Sequence, residues 1–424
     1  MRIDGVARSG GPKRTMRERL PVIVFGGGIN ALGVIRNLGR EGVDIYCVLE
    51  SPDPVIYSKY CKEYFILSHF THDLIRSFLS KFARRVSRRQ VIISTDDTTT
   101  LILSRLRDQM EDRYVFLVPP KEIAETLIVK SEFYRSLVEN KIEHPQVMIP
   151  SACSDVKEVG RKLGYPVFVR PCMSQVFAEA FGKKGFVANS ESELCHYYQL
   201  AAKYNLDVVF QEIVPGPASN QFGIAGCFGK SGRPLALFGY HRLRQWPLMF
   251  GNSSLMESVS FSSLSCLKEI VTAYLGQIGY YGVMDAEFKL DPRSGIYKLL
   301  EINARSWWQN SFPTRCGLNV ILKAYLDAIG EEVPYSEEYA AGLKWINFRN
   351  DVVASIAGGE IMRASWFNSF ANVKNYALFD AHDLAPSTAD AVLLLRARLC
   401  PRTCEPGRDL RELRESNHNQ AYSS

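Results

Sequence analysis

Short apolar runs closed by turn residues, alternating with stretches of helical periodicity, organise the first hundred residues. The segment PVIVFGGGINALGVIRNLGREGVDIYCVLE (residues 21–50) reads as a buried strand, a glycine-rich turn, a helix and a second strand. QVIIST (residues 90–95) supplies a third strand, and TTTLILSRL opens a helix immediately after Asp96, Asp97 and Thr98. The pattern predicts the opening of a doubly wound sheet with Gly26, Gly27 and Gly28 in a tight turn and Gly33 where the helix packs on the strand. Side chains at the carboxyl end of a central strand in such a sheet face a ligand crevice. Asp96 and Asp97 are therefore candidate substrate contacts, with helix capping by Asp97 or Thr98 as the competing role. A dinucleotide would use the same turn, with Glu50 on its ribose, but the glycines do not form a clean G-x-G-x-x-G.

Beyond residue 118 the pattern changes. Strands are expected in LGYPVFVRPCMS (residues 163–174), in GFVANS after Lys183 and Lys184, and in VVFQEIVPGP (residues 208–217), with a mobile loop over residues 172–182. Two further strands join at residues 229–232 and end near His241, Arg242 and Arg244; Arg242 and Arg244, two apart, are expected to share a strand face, with His241 turned away.

In GVMDAEFKLDPRSGIYKLLEINARSWW (residues 282–308), two strands flank the turn DPRSG. Strand period places Asp285, Glu287 and Lys289 on one face of the first strand and Leu299, Glu301 and Asn303 on one face of the second, so hard oxygens converge. Carboxylates plus an amide, with no His or Cys, suit Mg2+ or Mn2+ that completes its shell with nucleotide phosphates.

Composition narrows the class. A chain of 424 residues with 46% hydrophobic and 23% charged residues can bury a large core in two or three units. No apolar run approaches the roughly 20 residues of a membrane span, and AVLLL at residues 391–395 is far too short. Residues 1–20 are basic and glycine-rich without an apolar signal core and read as a disordered leader, with Met16 as a second candidate start. The ten cysteines form no CxxC pair, which fits a reducing cytoplasm; Cys400 and Cys404 have no neighbouring His to make a metal site. The net charge of +6 concentrates in Lys81, Arg84, Arg85, Arg88 and Arg89, on a helix whose other face carries Leu74, Ile75, Phe78, Leu79 and Phe82. Without interleaved aromatics this is a solvated face, and no nucleic-acid partner is expected.

The order of these motifs resembles the ATP-grasp superfamily, from about residue 21 to residue 330. The strings EFKLD and LLEINAR are most similar to carboxylate-amine ligases of a D-aspartate ligase-like group. The resemblance implies an ATP-grasp fold of mixed α/β and α+β type: an N-terminal doubly wound domain (residues 21–118), a nucleotide-binding domain (119–330), a helical appendage (331–399) and a disordered tail (400–424). It implies Glu287, Glu301 and Asn303 as ligands of Mg2+ or Mn2+, with Asp285 an extra acid that competes with Glu287. Lys130, just before a helix capped by Ser131, and Arg170, where lysine is usual, would meet the ATP phosphates, and Lys184 (or Lys183) would reach them from the lid. Gln211, Glu212, Ile213 and Val214 would recognise adenine and ribose, and the glycine turn at Gly28 would help form the acceptor-substrate pocket. Arg242, Arg244 and Arg305 would stabilise the γ-phosphate, substrate carboxylate or acyl phosphate. The implied reaction joins a small-molecule carboxylate to an amine, in a cytoplasmic protein with no membrane partner and room for a homodimer. A biotin-carboxylase-like enzyme, an NAD(P)-dependent oxidoreductase and a non-catalytic ATP-binding module are the alternatives.

Overall fold

The computed structural model describes residues 19–399; the cysteine pair at 400 and 404, the tail and all but the end of the leader lie outside the described residues. The first unit contains β1 (Val22–Phe25), α1 (Gly28–Gly39), β2 (Ile45–Leu49), β3 (Cys61–Ile66), α2 (His72–Arg85), β4 (Gln90–Ser94), α3 (Asp97–Met110) and β5 (Tyr114–Phe116). Its strands are parallel, in the order β3-β2-β1-β4-β5. Strand order reverses between β1 and β4, so the turns after them open on the crevice where α/β sheets bind ligands. The edge strand β3 does not show as an apolar run because it alternates between half-buried and exposed residues. Helix α2 stops at Arg85, and the basic cluster is a solvated face: Lys81, Arg84, Arg85, Arg88 and Arg89 are all exposed, with Arg85 paired to Glu63, Arg88 donating to the Arg19 carbonyl and Arg89 to those of Glu111 and Tyr114.

After α4 (Lys121–Ile128) and α5 (Lys130–Glu139) comes a small lid sheet with its helices: β6 (Val147–Met148), α6 (Val156–Leu163), β7 (Val167–Pro171), α7 (Ser174–Phe181), β8 (Phe186–Ala188), α8 (Glu191–Lys203) and β9 (Val208–Glu212). These four strands are antiparallel in the order β6-β9-β7-β8. Two expectations fail here. Helix α5 begins at Lys130 itself with no side-chain cap, and the expected mobile loop contains α7, whose apolar Phe177 and Phe181 pack into the lid core and whose end is closed by Gly182 in the left-handed region.

The remainder is β10 (Gln221–Phe228), β11 (Pro234–Trp246), β12 (Asn252–Ser258), α9 (Ser265–Gln277), β13 (Gly282–Asp291), β14 (Ile296–Asn303), α10 (Ser311–Arg315), α11 (Val320–Ala328), β15 (Lys344–Ile346), α12 (Phe348–Ala357), α13 (Ala364–Asn368), β16 (Val373–Tyr376) and α14 (Ala385–Leu399). Seven of its strands form the large sheet β14-β13-β10-β11-β12-β15-β16. The appendage is thus not wholly helical: β15 and β16 extend this sheet, and Trp345 of β15 is fully buried in its core.

Buried amides join the first unit to the large one. Asn30 Nδ2 donates to the carbonyls of Thr95 (2.7 Å) and Ser306 (2.8 Å), and Asn310 Nδ2 donates back to the Asn30 carbonyl (2.9 Å). A Cβ on Gly33 would stand 2.3 Å from Asn310 Oδ1, so that glycine admits Asn310, not the neighbouring strand.

Candidate functional site

The metal-candidate hairpin has the register its acids need. Glu287 on β13 faces Glu301 on β14, and Asp285 faces Asn303. The ladder then slips: Phe288 pairs with Leu299, leaving Leu300 as the bulged residue. Leu299 consequently lies in the core beside Phe288 and does not share the face of Glu301, as simple alternation had it.

Cations surround the two glutamates. Glu301 is bonded to Arg170 and lies 3.6 Å from Lys130 Nζ, while Arg242 donates to Glu287 at 2.7 Å. Burial would raise the Glu301 carboxyl, but Lys130, Arg170, Lys184 and Arg305 together hold it well below the usual carboxylate range. Arg170 also spreads its other amino group over the Tyr134 hydroxyl, Gln211 Oε1 and the Leu300 carbonyl that the bulge presents. Lys130 is buried, which lowers its pKa against the pull of Glu301. Lys184 reaches in from the start of β8 and donates to Asn252 Oδ1 at 2.6 Å; the Lys183 ammonium lies instead over the Phe186 ring. Arg305 bonds Asp97 (2.7 Å) and Asn303 Oδ1 (3.1 Å). Asp285 is buried against the Tyr240 hydroxyl at 2.7 Å; burial and the neighbouring Glu287 charge push its carboxyl up to about 8.

The residues present fit a nucleotide-bound divalent ion. Among the described residues no three His, Cys, Asp or Glu side chains cluster as a self-sufficient metal centre, whereas two carboxylates and one amide suit an ion that keeps ligands from phosphate and water. Arg242 carries a buried Nε with no partner, at a point where an anion would satisfy it.

Other candidates are placed elsewhere. Arg244 does not share a face with Arg242, because the β11–β12 ladder shifts on both sides of it. It makes a two-pronged pair with Asp351 of α12, at 2.8 Å for each contact, and so fastens the appendage. Both oxygens of Glu212 are engaged, one by Arg293 and the other by Lys298 (2.9 Å) and the Gln146 N–H (3.0 Å), so it braces the hairpin tip and is not presented to a ribose. Gln211, by contrast, points into the cleft beside Arg170. Ile213 and Val214 follow β9 in the connection to β10. Asp96 caps α3, accepting from the Thr99 N–H (2.8 Å) and hydroxyl (2.6 Å), which leaves Asp97 as the acid turned toward Arg305. Gly28 has φ +68° and donates its N–H to Asp53 at 3.0 Å. Asp53, which also caps the turn at residues 54–57, and Tyr134 were missed; the Asp-Pro pair at residues 53–54 was the turn signal available for the first, and nothing local marks the second.

Comparison with known proteins matches this architecture. The solved biotin carboxylase domain of Hydrogenobacter thermophilus 2-oxoglutarate carboxylase, in complex with MgADP and bicarbonate, superposes with a TM-score of 0.61, covering 77% of this chain and 73% of that one at 18% identity. The L-amino acid ligase of Bacillus licheniformis superposes with a TM-score of 0.60 at 13% identity, covering 77% and 79%. The chain has the ATP-grasp fold. In sequence, this ATP-grasp chain is 23% identical over 322 residues to the D-aspartate ligase of Enterococcus faecium (strain Aus0004), covering 72% of this chain and 75% of that protein. No protein-family model matches it. No helix among the described residues is long and apolar enough to cross a membrane.

Proposed function

We propose that this protein is an ATP-dependent ligase that joins a carboxylate to an amine through an acyl phosphate, releasing ADP and phosphate. The observation that carries the reading is the placement of Glu301 opposite Glu287, ringed by Lys130, Arg170 and Lys184. The names of its relatives, a D-aspartate ligase in sequence and an L-amino acid ligase in fold, support it.

In this reading Glu287, Glu301 and Asn303 hold Mg2+, which neutralises developing phosphate charge when bound. Lys130, Arg170, Lys184 and Arg242 receive the phosphate oxygens, and the lid sheet excludes water. A substrate carboxylate oxygen attacks the γ-phosphorus as ADP leaves. The amine nitrogen then attacks the acyl carbon, loses a proton, and phosphate departs. Arg305 offers a guanidinium to the substrate carboxylate or acyl phosphate at the mouth of the first unit, where Gly28 and Asp97 line the crevice and Asp97 is suited to an ammonium group. We assign residues 21–118 to substrate, 119–330 to nucleotide and 331–399 to bracing the large sheet.

The test is ADP release by purified protein over a matrix of amino acids offered as donor and acceptor. Release that requires both partners supports the ligase. Release with bicarbonate alone favours a carboxylase-type reaction, and no release with any combination refutes both.

A further inference from the structure

Strand β7 has two dissimilar faces. Val167 and Val169 pack with Phe177, Leu194 and Phe210 in the lid's own core, so the intervening Phe168 and Arg170 face the large sheet. Arg170 reaches Glu301 there. Two residues back on the same face, the Phe168 ring is covered by Phe250, with centroids 3.9 Å apart and planes inclined by 9°. Phe250 belongs to residues 247–251, the connection between β11 and β12, and has φ +55°, a conformation that bulky side chains rarely adopt.

The same connection and Asn252, the first residue of β12, are tied to the phosphate-facing cations. Arg242 donates to the Gly251 carbonyl at 3.2 Å, and Lys184 donates to Asn252 Oδ1 at 2.6 Å. Gln245 Nε2 holds the Leu248 carbonyl at 2.7 Å, while Leu248 and Met249 themselves are exposed. An aromatic ring lying flat on Phe168, beside cations whose hydrogen bonds are taken by its own loop, reproduces in protein atoms what a nucleotide would present: a planar base on an aromatic platform and oxygens on the adjoining cations.

We infer that Phe250 holds the position over Phe168 that the base of the nucleotide takes, so that residues 247–251 are a strap which nucleotide must displace. The inference rests on the ATP reading above. Base and phosphates act together on the strap: the base removes the ring, and the phosphates take Arg242 and Lys184 from Gly251 and Asn252. Release also lets Phe250 leave its left-handed conformation.

The probe is ADP with Mg2+, titrated calorimetrically into wild type, Phe250→Ala and Phe250→Leu, with thermal melting as a check of folding. Removing the competing ring is expected to tighten ADP binding of Phe250→Ala by about 2- to 10-fold, the worth of one aromatic stack. Phe250→Leu, which keeps bulk but not the flat ring, should fall between. In wild type, hydrogen exchange over residues 247–251 should rise on ADP saturation. Unchanged ADP affinity in Phe250→Ala overturns the strap and leaves the nucleotide site standing. Weaker binding also overturns it, because the ring would then pack on bound base. If no protein binds ADP, strap and nucleotide reading fall together. Should Phe250→Ala not fold, unaltered or slower exchange over residues 247–251 of wild type decides against the strap.

Discussion

Replacing Glu301 by Gln removes one charge and almost no volume, and the structure says where the loss will be felt. Lys130 is buried and Arg170 nearly so, and both pair with Glu301, whose side chain is 25% exposed. Breaking a fully buried pair costs about 3–5 kcal/mol; discounted for the exposure of Glu301, about 1–3 kcal/mol is expected. Melting of the ligand-free variant should therefore fall by several degrees, at about 2–4 °C per kcal/mol. Metal-free ADP brings its own negative charge to these cations, so much of this deficit should vanish when ADP binds without Mg2+. The sign with pH also follows. The carboxyl is held below its ordinary value of 4.5 in the folded protein, so its stabilisation is complete above that pH and is lost as pH falls toward the depressed value. The gap between wild type and variant should thus be constant near neutrality and close in acid. Titration with ADP at stepped Mg2+ concentrations should show metal-linked affinity reduced by about tenfold or more, as expected on losing a charged ligand. Equal melting of both ligand-free proteins, or an unchanged Mg2+ dependence, would refute the argument.

Arg170→Lys should keep turnover within roughly tenfold, because the charge on Glu301 remains, whereas Arg170→Ala should lose about a hundredfold or more; equal activity of the alanine variant would make Arg170 structural. Gly28→Val should raise the substrate KM while leaving ADP affinity nearly unchanged. A Cβ there meets nothing within 4 Å, so the damage comes from φ +68°, not from crowding, and loss of ADP affinity would put the nucleotide on the glycine turn. Arg244→Met leaves Asp351, which is fully buried, without its charged partner and with side-chain hydrogen bonds only from Ser254 and Trp366 among the described residues; stability should drop by about 3–4 kcal/mol with KM for ATP unchanged, and a selective loss of kcat would return Arg244 to the reaction.

The parts of the fold visible in the sequence are those where local chemistry and tertiary role agree. Residues 22–25, 45–49 and 90–94 are fully buried parallel strands and read as continuous apolar runs, and the turn DPRSG sits between two strands whose acids fall on one face. What stayed hidden depends on a partner or on one extra residue. Bulges at Leu300 and beside Arg244 cannot be seen in a strand's own period, yet the first offers a carbonyl to Arg170 and the second sends Arg244 to the appendage. Strands β15 and β16 are three and four residues long and exist because β12 leaves an edge to cover. Asp96 and Asp97 look alike in sequence; only the position of Arg305, more than 200 residues later, distinguishes cap from crevice acid.

The amide knot of Asn30, Thr95, Ser306 and Asn310 has a consequence for protein engineering. Because the first turn of α1 and the residues just after β14 are stitched by direct hydrogen bonds of 2.7 to 2.9 Å, the first unit cannot be exchanged as a free-standing cassette. A chimera that grafts another protein's residues 21–118 onto residues 119–399 of this chain must bring a helix with a small residue at position 33 and an amide at position 30, or replace Asn310 along with them. Grafts that ignore the knot should be insoluble or poorly packed before their new specificity can be measured, whereas loops at the crevice rim, outside it, are where the proposed function would let substrate choice be redesigned one residue at a time.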